Sequence, residues 1–187
     1  MVKRSFDICI SLLGLIMLVL PCLVIAVLIK AGSTGPVLYW SQRIGKDSSP
    51  FSMPKFRSMR IDTPEVATDK LIAPEQYLTK TGALLRKTSL DELPQLFSVL
   101  RGDMSLVGPR PALYNQHELI RLRKSQGIDK LRPGITGWAQ INGRDEIDLA
   151  QKISLDLEYM RQANMLFDIK IILLTIVSVL SSKNVTH

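Results

Sequence analysis

ICISLLGLIMLVLPCLVIAVLI, residues 8–29, decides the architecture, because no side chain in it carries a charge. At a helical rise of about 1.5 Å per residue, such a run is long enough to reach across the hydrocarbon core of a bilayer. Lys3 and Arg4 precede it and Lys30 follows it. Three arrangements are compatible with this pattern. A cleaved signal peptide has a basic start and an apolar run, but this run is long for one, and Ala31-Gly32-Ser33 is a weak cleavage site. A single transmembrane helix fits the length. A re-entrant hairpin fits two further features. Pro21 lies deep in the run, removes a backbone donor and crowds the preceding turn, which predicts a membrane-helix break at Leu20-Pro21. Lys and Arg are enriched on cytoplasmic flanks, and here they stand on both sides of the run, with Arg43 and Lys46 beyond Lys30. A re-entrant helix keeps both flanks in the cytoplasm, so the sequence favours it, although kinked spans are also tolerated.

The remainder is long enough for one domain: 187 residues with 46% apolar and 22% charged side chains are not disordered by composition. The net charge of +7 calls for an anionic partner, whether nucleic acid, membrane or a phosphorylated substrate. The uncharged run and the scarcity of aromatics on basic stretches argue against nucleic acid. Cys9 and Cys22 both lie in the apolar run and read as small hydrophobes. His117 and His187 form no metal motif, and there is no glycine-rich phosphate loop and no Ser/His/Asp or Cys/His nucleophile pattern.

Residues 36–43 and 51–59 read as the strands of a short hairpin around the turn at 45–50. Helices are expected over 74–87, from near Asp91 to Arg101 with Gly102 as the stop, over 112–125 and over 149–162. Residues 166–180 are apolar with helical spacing, which suits a buried core helix and an interfacial helix equally. The expected fold class is therefore α/β, mainly helical. A re-entrant membrane element, residues 1–31, would join a cytoplasmic unit, residues 32–187.

The chemistry concentrates in Ser89-Leu90-Asp91-Glu92-Leu93-Pro94-Gln95-Leu96. Pro94 is tolerated only in a first helical turn, so the helix starts close to Asp91 and both carboxylates sit at its N-terminus. One reading is structural: acidic residues there interact favourably with the helix dipole, and Ser89 with Glu92 fits a capping box. The other is catalytic: carboxylates kept ionised at a helix start suit a nucleophile or a metal ligand. Neighbouring residues point in different directions, so the two would divide the work, one attacking and the other binding Mg²⁺ or handling a proton. Hard oxygen ligands beside a phosphorylated substrate favour Mg²⁺ over zinc. The candidate phosphate-binding set is Lys55, Arg57, Arg86, Arg110 between Pro109 and Pro111, Arg132 and Arg144.

Several long motifs now fall into order. They are Lys3-Arg4-Ser5-Phe6-Asp7, Gln42-Arg43-Ile44-Gly45, Lys55-Phe56-Arg57-Ser58-Met59, residues 89–96, residues 102–111, residues 132–140 and Asn142-Gly143-Arg144. With these the chain resembles the monotopic phosphoglycosyl transferases, also called bacterial sugar transferases, over nearly its whole length. The resemblance implies a re-entrant helix in the bacterial inner membrane and a cytoplasmic domain with helices at the bilayer interface. It implies that Asp91 attacks the β-phosphate of a UDP-sugar, releases UMP and carries a covalent phosphosugar, which undecaprenyl phosphate then takes. Glu92 matches the supporting acid, Mg²⁺ is the expected cofactor, and the chain matches the minimal form of the family. Relatives often have serine where Leu20 stands, so the break at Pro21 lacks a hydroxyl to bond a freed carbonyl. An inactive membrane-surface scaffold is the rival reading, against which both acids of the pair are retained. Sugar choice is expected in residues 62–76 or after Arg144.

Overall fold

The computed structural model describes residues 2–64, 73–143 and 147–180, so Arg144 and parts of both expected specificity segments lie outside the described residues. Its first element is one helix, α1 (Val2–Gly32), the single helix among the described residues long and apolar enough to cross a membrane. This corrects the expected break, since α1 continues through Pro21. The reason lies on either side of the proline. Ser11 is buried and Gly14 lies against Leu96 on the N-terminal side, while Ile25 and Ile29 are buried on the C-terminal side. Both halves are thus held to the same body, and that directs the axis more strongly than one lost backbone donor diverts it. Between these anchors Leu13, Ile16, Met17, Leu20 and Leu23 are exposed.

Strands β1 (Leu38–Ile44) and β2 (Pro50–Phe56) form the expected antiparallel hairpin, with Leu38 opposite Phe56 and Ile44 opposite Pro50. Helix α2 (Lys80–Lys87) is shorter than expected. Leu78 bridges to Met59 in extended conformation, and the Thr79 side chain accepts from Gly82 N to start the helix two residues later. Helix α3 (Gln95–Arg101) ends, as expected, at Gly102, whose φ of +100° suits glycine. Next come β3 (Ser105–Val107) and β4 (Ala112–Leu113). The expected helix over 112–125 is corrected at its start: Ala112 and Leu113 pair with Ile44 and Arg43 of β1, and only α4 (His117–Ser125) is helical. Strand β5 (Gly134–Thr136) runs parallel to β3. The short α5 (Trp138–Ile141), α6 (Leu149–Gln162) and α7 (Met165–Leu180) are the last elements among the described residues.

The main core joins Met53, Val99, Met104, Val107, Tyr159, Phe167 and Ile171, so hairpin, α3, β3, α6 and α7 share one interior. Helix α7 is buried on one side, as expected for a core helix, and apolar and exposed on the other. Phe167 and Ile171 are buried, whereas Leu166, Leu173, Ile176 and Val177 form an exposed apolar face. The N-terminal end of α1 is fastened by polar groups. Buried Asp7 accepts from Ser105 Oγ at 2.9 Å and Leu106 N at 3.3 Å, Arg4 donates to the Val99 and Leu100 carbonyls, and Lys3 pairs with buried Asp168 at 2.6 Å. The C-terminal half packs through Ile25 and Ile29 on Phe56 and Leu85.

Candidate active site

Asp91 and Glu92 occupy a 3-10 turn, Leu90–Glu92, just before α3 rather than in its first turn. Leu90 and Leu93 on either side of the pair pack into the cluster that contains Ile25, Ile29, Phe56 and Leu85. The leucines at i and i+3 anchor the turn in this cluster, so the acidic pair sits beside the apolar helix. The expected capping box is absent: Ser89 adopts a left-handed conformation (φ +56°) and its side chain makes no cap bond. A non-glycine residue there costs about 1–3 kcal/mol, and such strain collects at functional sites because surrounding structure must impose it.

Three cationic side chains converge on the pair from different elements, and a fourth, Arg43, stands near one of them. Lys55 comes from β2 and donates to Glu92 Oε1 at 2.8 Å; Arg110, in the loop after β3, donates to the same oxygen at 3.0 Å. Arg86, in the last turn of α2, interacts electrostatically with both acids and donates to Ser58 Oγ at 3.0 Å. Gly82 permits this placement, because a Cβ there would overlap the Ser58 carbonyl. Arg43 of β1, which the sequence did not single out as a ligand, adds its charge near Lys55 and donates to the Pro111 carbonyl at 3.1 Å.

These contacts separate the two acids. Burial alone would raise Glu92, but the charges and hydrogen bonds of Lys55 and Arg110 outweigh it and hold the carboxyl well below the usual carboxylate range. Asp91 is 6% exposed, and no hydrogen bond to its carboxylate occurs among the described residues. Burial pushes its carboxyl above the usual value, only partly offset by Lys55, Arg86 and Arg110. The helix-start expectation of two ionised acids therefore fits Glu92, while desolvation governs Asp91. A buried carboxylate without donors, next to an ionised neighbour that engages two cations, is a basic and uncovered oxygen, which is the chemistry a carboxylate nucleophile requires.

The other candidates are placed differently. Arg57 is buried and donates to three backbone carbonyls at the exit of α1: Pro36 and Thr34 at 2.6 Å each and Ser33 at 3.1 Å. Arg132 is exposed and donates to the Gly102 carbonyl at the end of α3. Pro109 and Pro111 are buried and shape the loop that presents Arg110. That loop lies against residues 132–137 because Gly108, Gly134 and Gly137 approach backbone to backbone, where any Cβ would overlap main-chain atoms. Arg123 and Asp156, a buried pair that spacing could not reveal, adjoin the loop from behind, and Arg123 donates to the Arg110 carbonyl at 2.7 Å. Among the described residues no three His, Cys, Asp or Glu side chains come together. Asp91 and Glu92 are adjoining carboxylates among the described residues that could hold a metal ion. That sparse oxygen set suits Mg²⁺, which commonly binds one or two carboxylates and completes its shell with phosphate and water.

Sequence comparison places this geometry among known proteins. The bacterial sugar transferase family pattern matches residues 1–182. The chain is 42% identical over 186 residues to the UDP-glucose:undecaprenyl-phosphate glucose-1-phosphate transferase of Escherichia coli (strain K12), a match covering 94% of this chain and 39% of that protein. It is 41% identical over 185 residues to the uncharacterized sugar transferase EpsL of Bacillus subtilis (strain 168), covering 98% and 89% respectively. With the exopolysaccharide production protein ExoY of Rhizobium meliloti (strain 1021) it shares 36% identity over 200 residues, covering 98% and 87%. The chain thus spans well under half of the E. coli protein and most of the other two.

Proposed function

The chain belongs to the bacterial sugar transferase family, and from that membership we propose that it transfers a sugar-1-phosphate from a UDP-sugar to undecaprenyl phosphate, the opening step of a bacterial glycan. The observation that carries this reading is the division between the acids: Glu92 holds Lys55 and Arg110, and Asp91 is left buried and uncovered among positive charges.

In this mechanism an Asp91 carboxylate oxygen attacks the β-phosphorus of the UDP-sugar. The bond from that phosphorus to the bridging oxygen breaks, the electron pair leaves with UMP, and a phosphosugar remains on Asp91. A phosphate oxygen of the lipid then attacks the same phosphorus, which frees Asp91 and forms the lipid diphosphate sugar. Both substrates are anionic, and charge grows on the departing phosphate, so Lys55, Arg86 and Arg110 stabilise the transition state where they stand. Glu92 keeps Lys55 and Arg110 in position. Asp91 and Glu92 would hold a magnesium ion, which would supply further neutralisation of the diphosphate.

The membrane arrangement follows the same logic. Both ends of α1 are fixed to one globular body, by Lys3, Arg4 and Asp7 at one end and by Ile25 and Ile29 at the other. The unbroken α1 is itself long enough to reach across a bilayer, but between its two ends Ser11 is buried and Gly14 lies against Leu96, so the helix runs along this body instead of leaving it. The contacts therefore support insertion from one side, with both basic flanks and the catalytic unit in the cytoplasm and the exposed apolar faces of α1 and α7 in lipid. The lipid acceptor then meets Asp91 at the bilayer surface.

The test is UMP release by purified protein in nanodiscs with Mg²⁺, undecaprenyl phosphate and a panel of UDP-sugars led by UDP-glucose. Donor labelled in the sugar should leave label on the wild-type chain and none on Asp91→Asn. Turnover without a labelled chain, or with Asp91→Asn, overturns the mechanism. Cysteines placed at Val2 and Ser33 should both react from the cytoplasmic face; labelling from opposite faces overturns the one-sided insertion.

A further inference from the structure

We infer that Arg123 and Asp156 are positioning residues for the transfer reaction: they hold the backbone of Arg110 so that its guanidinium stays on Glu92. This inference rests on the transferase reading above. The loop of residues 108–111 carries two prolines, which have no N–H, so it is secured mainly through its carbonyls. Each carbonyl of its Pro-Arg-Pro portion has a donor. Gly134 N donates to Pro109 O at 2.9 Å, Arg123 Nη1 to Arg110 O at 2.7 Å, and Arg43 Nη1 to Pro111 O at 3.1 Å. The central bond holds the residue that matters chemically.

Arg123 is able to make that bond because its guanidinium is oriented elsewhere. Its Nε and Nη2 both donate to Asp156 Oδ2, at 3.0 and 2.7 Å, leaving Nη1 directed at the loop. Arg123 stands on α4 and Asp156 on α6, and both are buried, Asp156 to 1% exposure. A guanidinium is planar and rigid, so fixing two of its nitrogens fixes the third. A simple staple between α4 and α6 would not need that third donor. Those helices already share the apolar cluster of Ala112, Leu119, Ile128 and Ile153.

A double-mutant cycle separates positioning from packing. Replacing both partners with apolar residues, Arg123→Met with Asp156→Leu, removes the relay without leaving an unpaired buried charge, a change that is often neutral for stability. The paired variant should melt close to wild type yet release UMP about 100-fold more slowly, the loss that misplacement by about 1 Å brings. Adding Arg110→Lys to the paired variant should then cost far less than the same change costs the wild type. Effects that multiply independently to within about twofold overturn the inference. Arg123→Lys, which keeps the charge but loses the fork, should show the same non-additivity and covers the case in which the paired variant does not fold.

Hydrogen exchange at the Arg110 and Ala112 amides gives a readout without turnover. It should quicken in either variant, and unchanged exchange refutes positioning. Wild-type turnover is measured on the same preparation, so a failure of the transferase reading shows as no UMP release from wild type, separately from the exchange result.

Discussion

Replacing Asp91 by asparagine should remove activity and at the same time make the protein more stable. The carboxyl is 6% exposed and lacks hydrogen bonds among the described residues, and burial raises its pKa despite Lys55, Arg86 and Arg110 nearby. The sign follows from linkage. A carboxyl raised on folding binds its proton more tightly in the native state, so stability falls as pH climbs from the unfolded value near 3.9 through the folded one. Above that window the folded protein carries a charge that destabilises it. Asparagine has nearly the same shape and no charge, so the variant escapes this cost. Relief of strain of this kind contributes about 0.5–2 kcal/mol. For a chain of this size that is a rise in melting temperature of about 1–8 °C. The assay is thermal unfolding of both proteins in the same nanodiscs across pH 3.5–8.5, a range set to bracket the unfolded carboxyl value of about 3.9. The advantage of the variant should grow with pH and vanish at the acid end. An asparagine variant less stable than wild type at neutral pH, or a difference that does not change with pH, would refute the claim that desolvation governs Asp91.

Lys55→Met removes the charge that most lowers the Asp91 carboxyl and one of two donors to Glu92, so the acid limb of kcat/KM for UMP release should move to higher pH. The same change should cost about 1.5–3 kcal/mol of stability, the usual worth of a charged hydrogen bond; a limb that stays put or moves down contradicts the assignment. Asp7→Ala strands the Ser105 hydroxyl and Leu106 N–H, and a melting experiment should show a loss of about 2–4 kcal/mol. A cost below about 1 kcal/mol would mean that α1 is not anchored there. Arg57→Met leaves three carbonyls without their donor and should lower stability by about 2–4 kcal/mol with little change in KM for the UDP-sugar. A raised KM at unchanged stability would instead return Arg57 to the substrate site.

Much of the fold could be read along the chain. The hairpin, α6, the Gly102 stop and the long apolar helix follow from alternation, helical spacing and turn residues, which are local signals. The misreadings arise where distant contacts compete with such signals. Residues 112–113 have helical neighbours but pair with β1, and Pro21 should break a free helix but lies between two segments held to one body. The capping box fails because Ser89 adopts a left-handed turn that moors Leu90 and Leu93 in the core beneath α1.

The sequence alone determined the apolar helix, the position of the acidic pair and the net positive charge. Each depends on residue type and near neighbours, and these are written in the chain. Only the tertiary structure decided which cations meet the acids. Lys55 and Arg110 reach Glu92, whereas Arg57 and Arg132, equally basic in sequence, bind backbone carbonyls elsewhere. It alone joined Arg123 to Asp156 across 33 positions. It also made the two neighbouring acids different, because desolvation and charge depend on what surrounds a group in space, and no spacing along the chain encodes that.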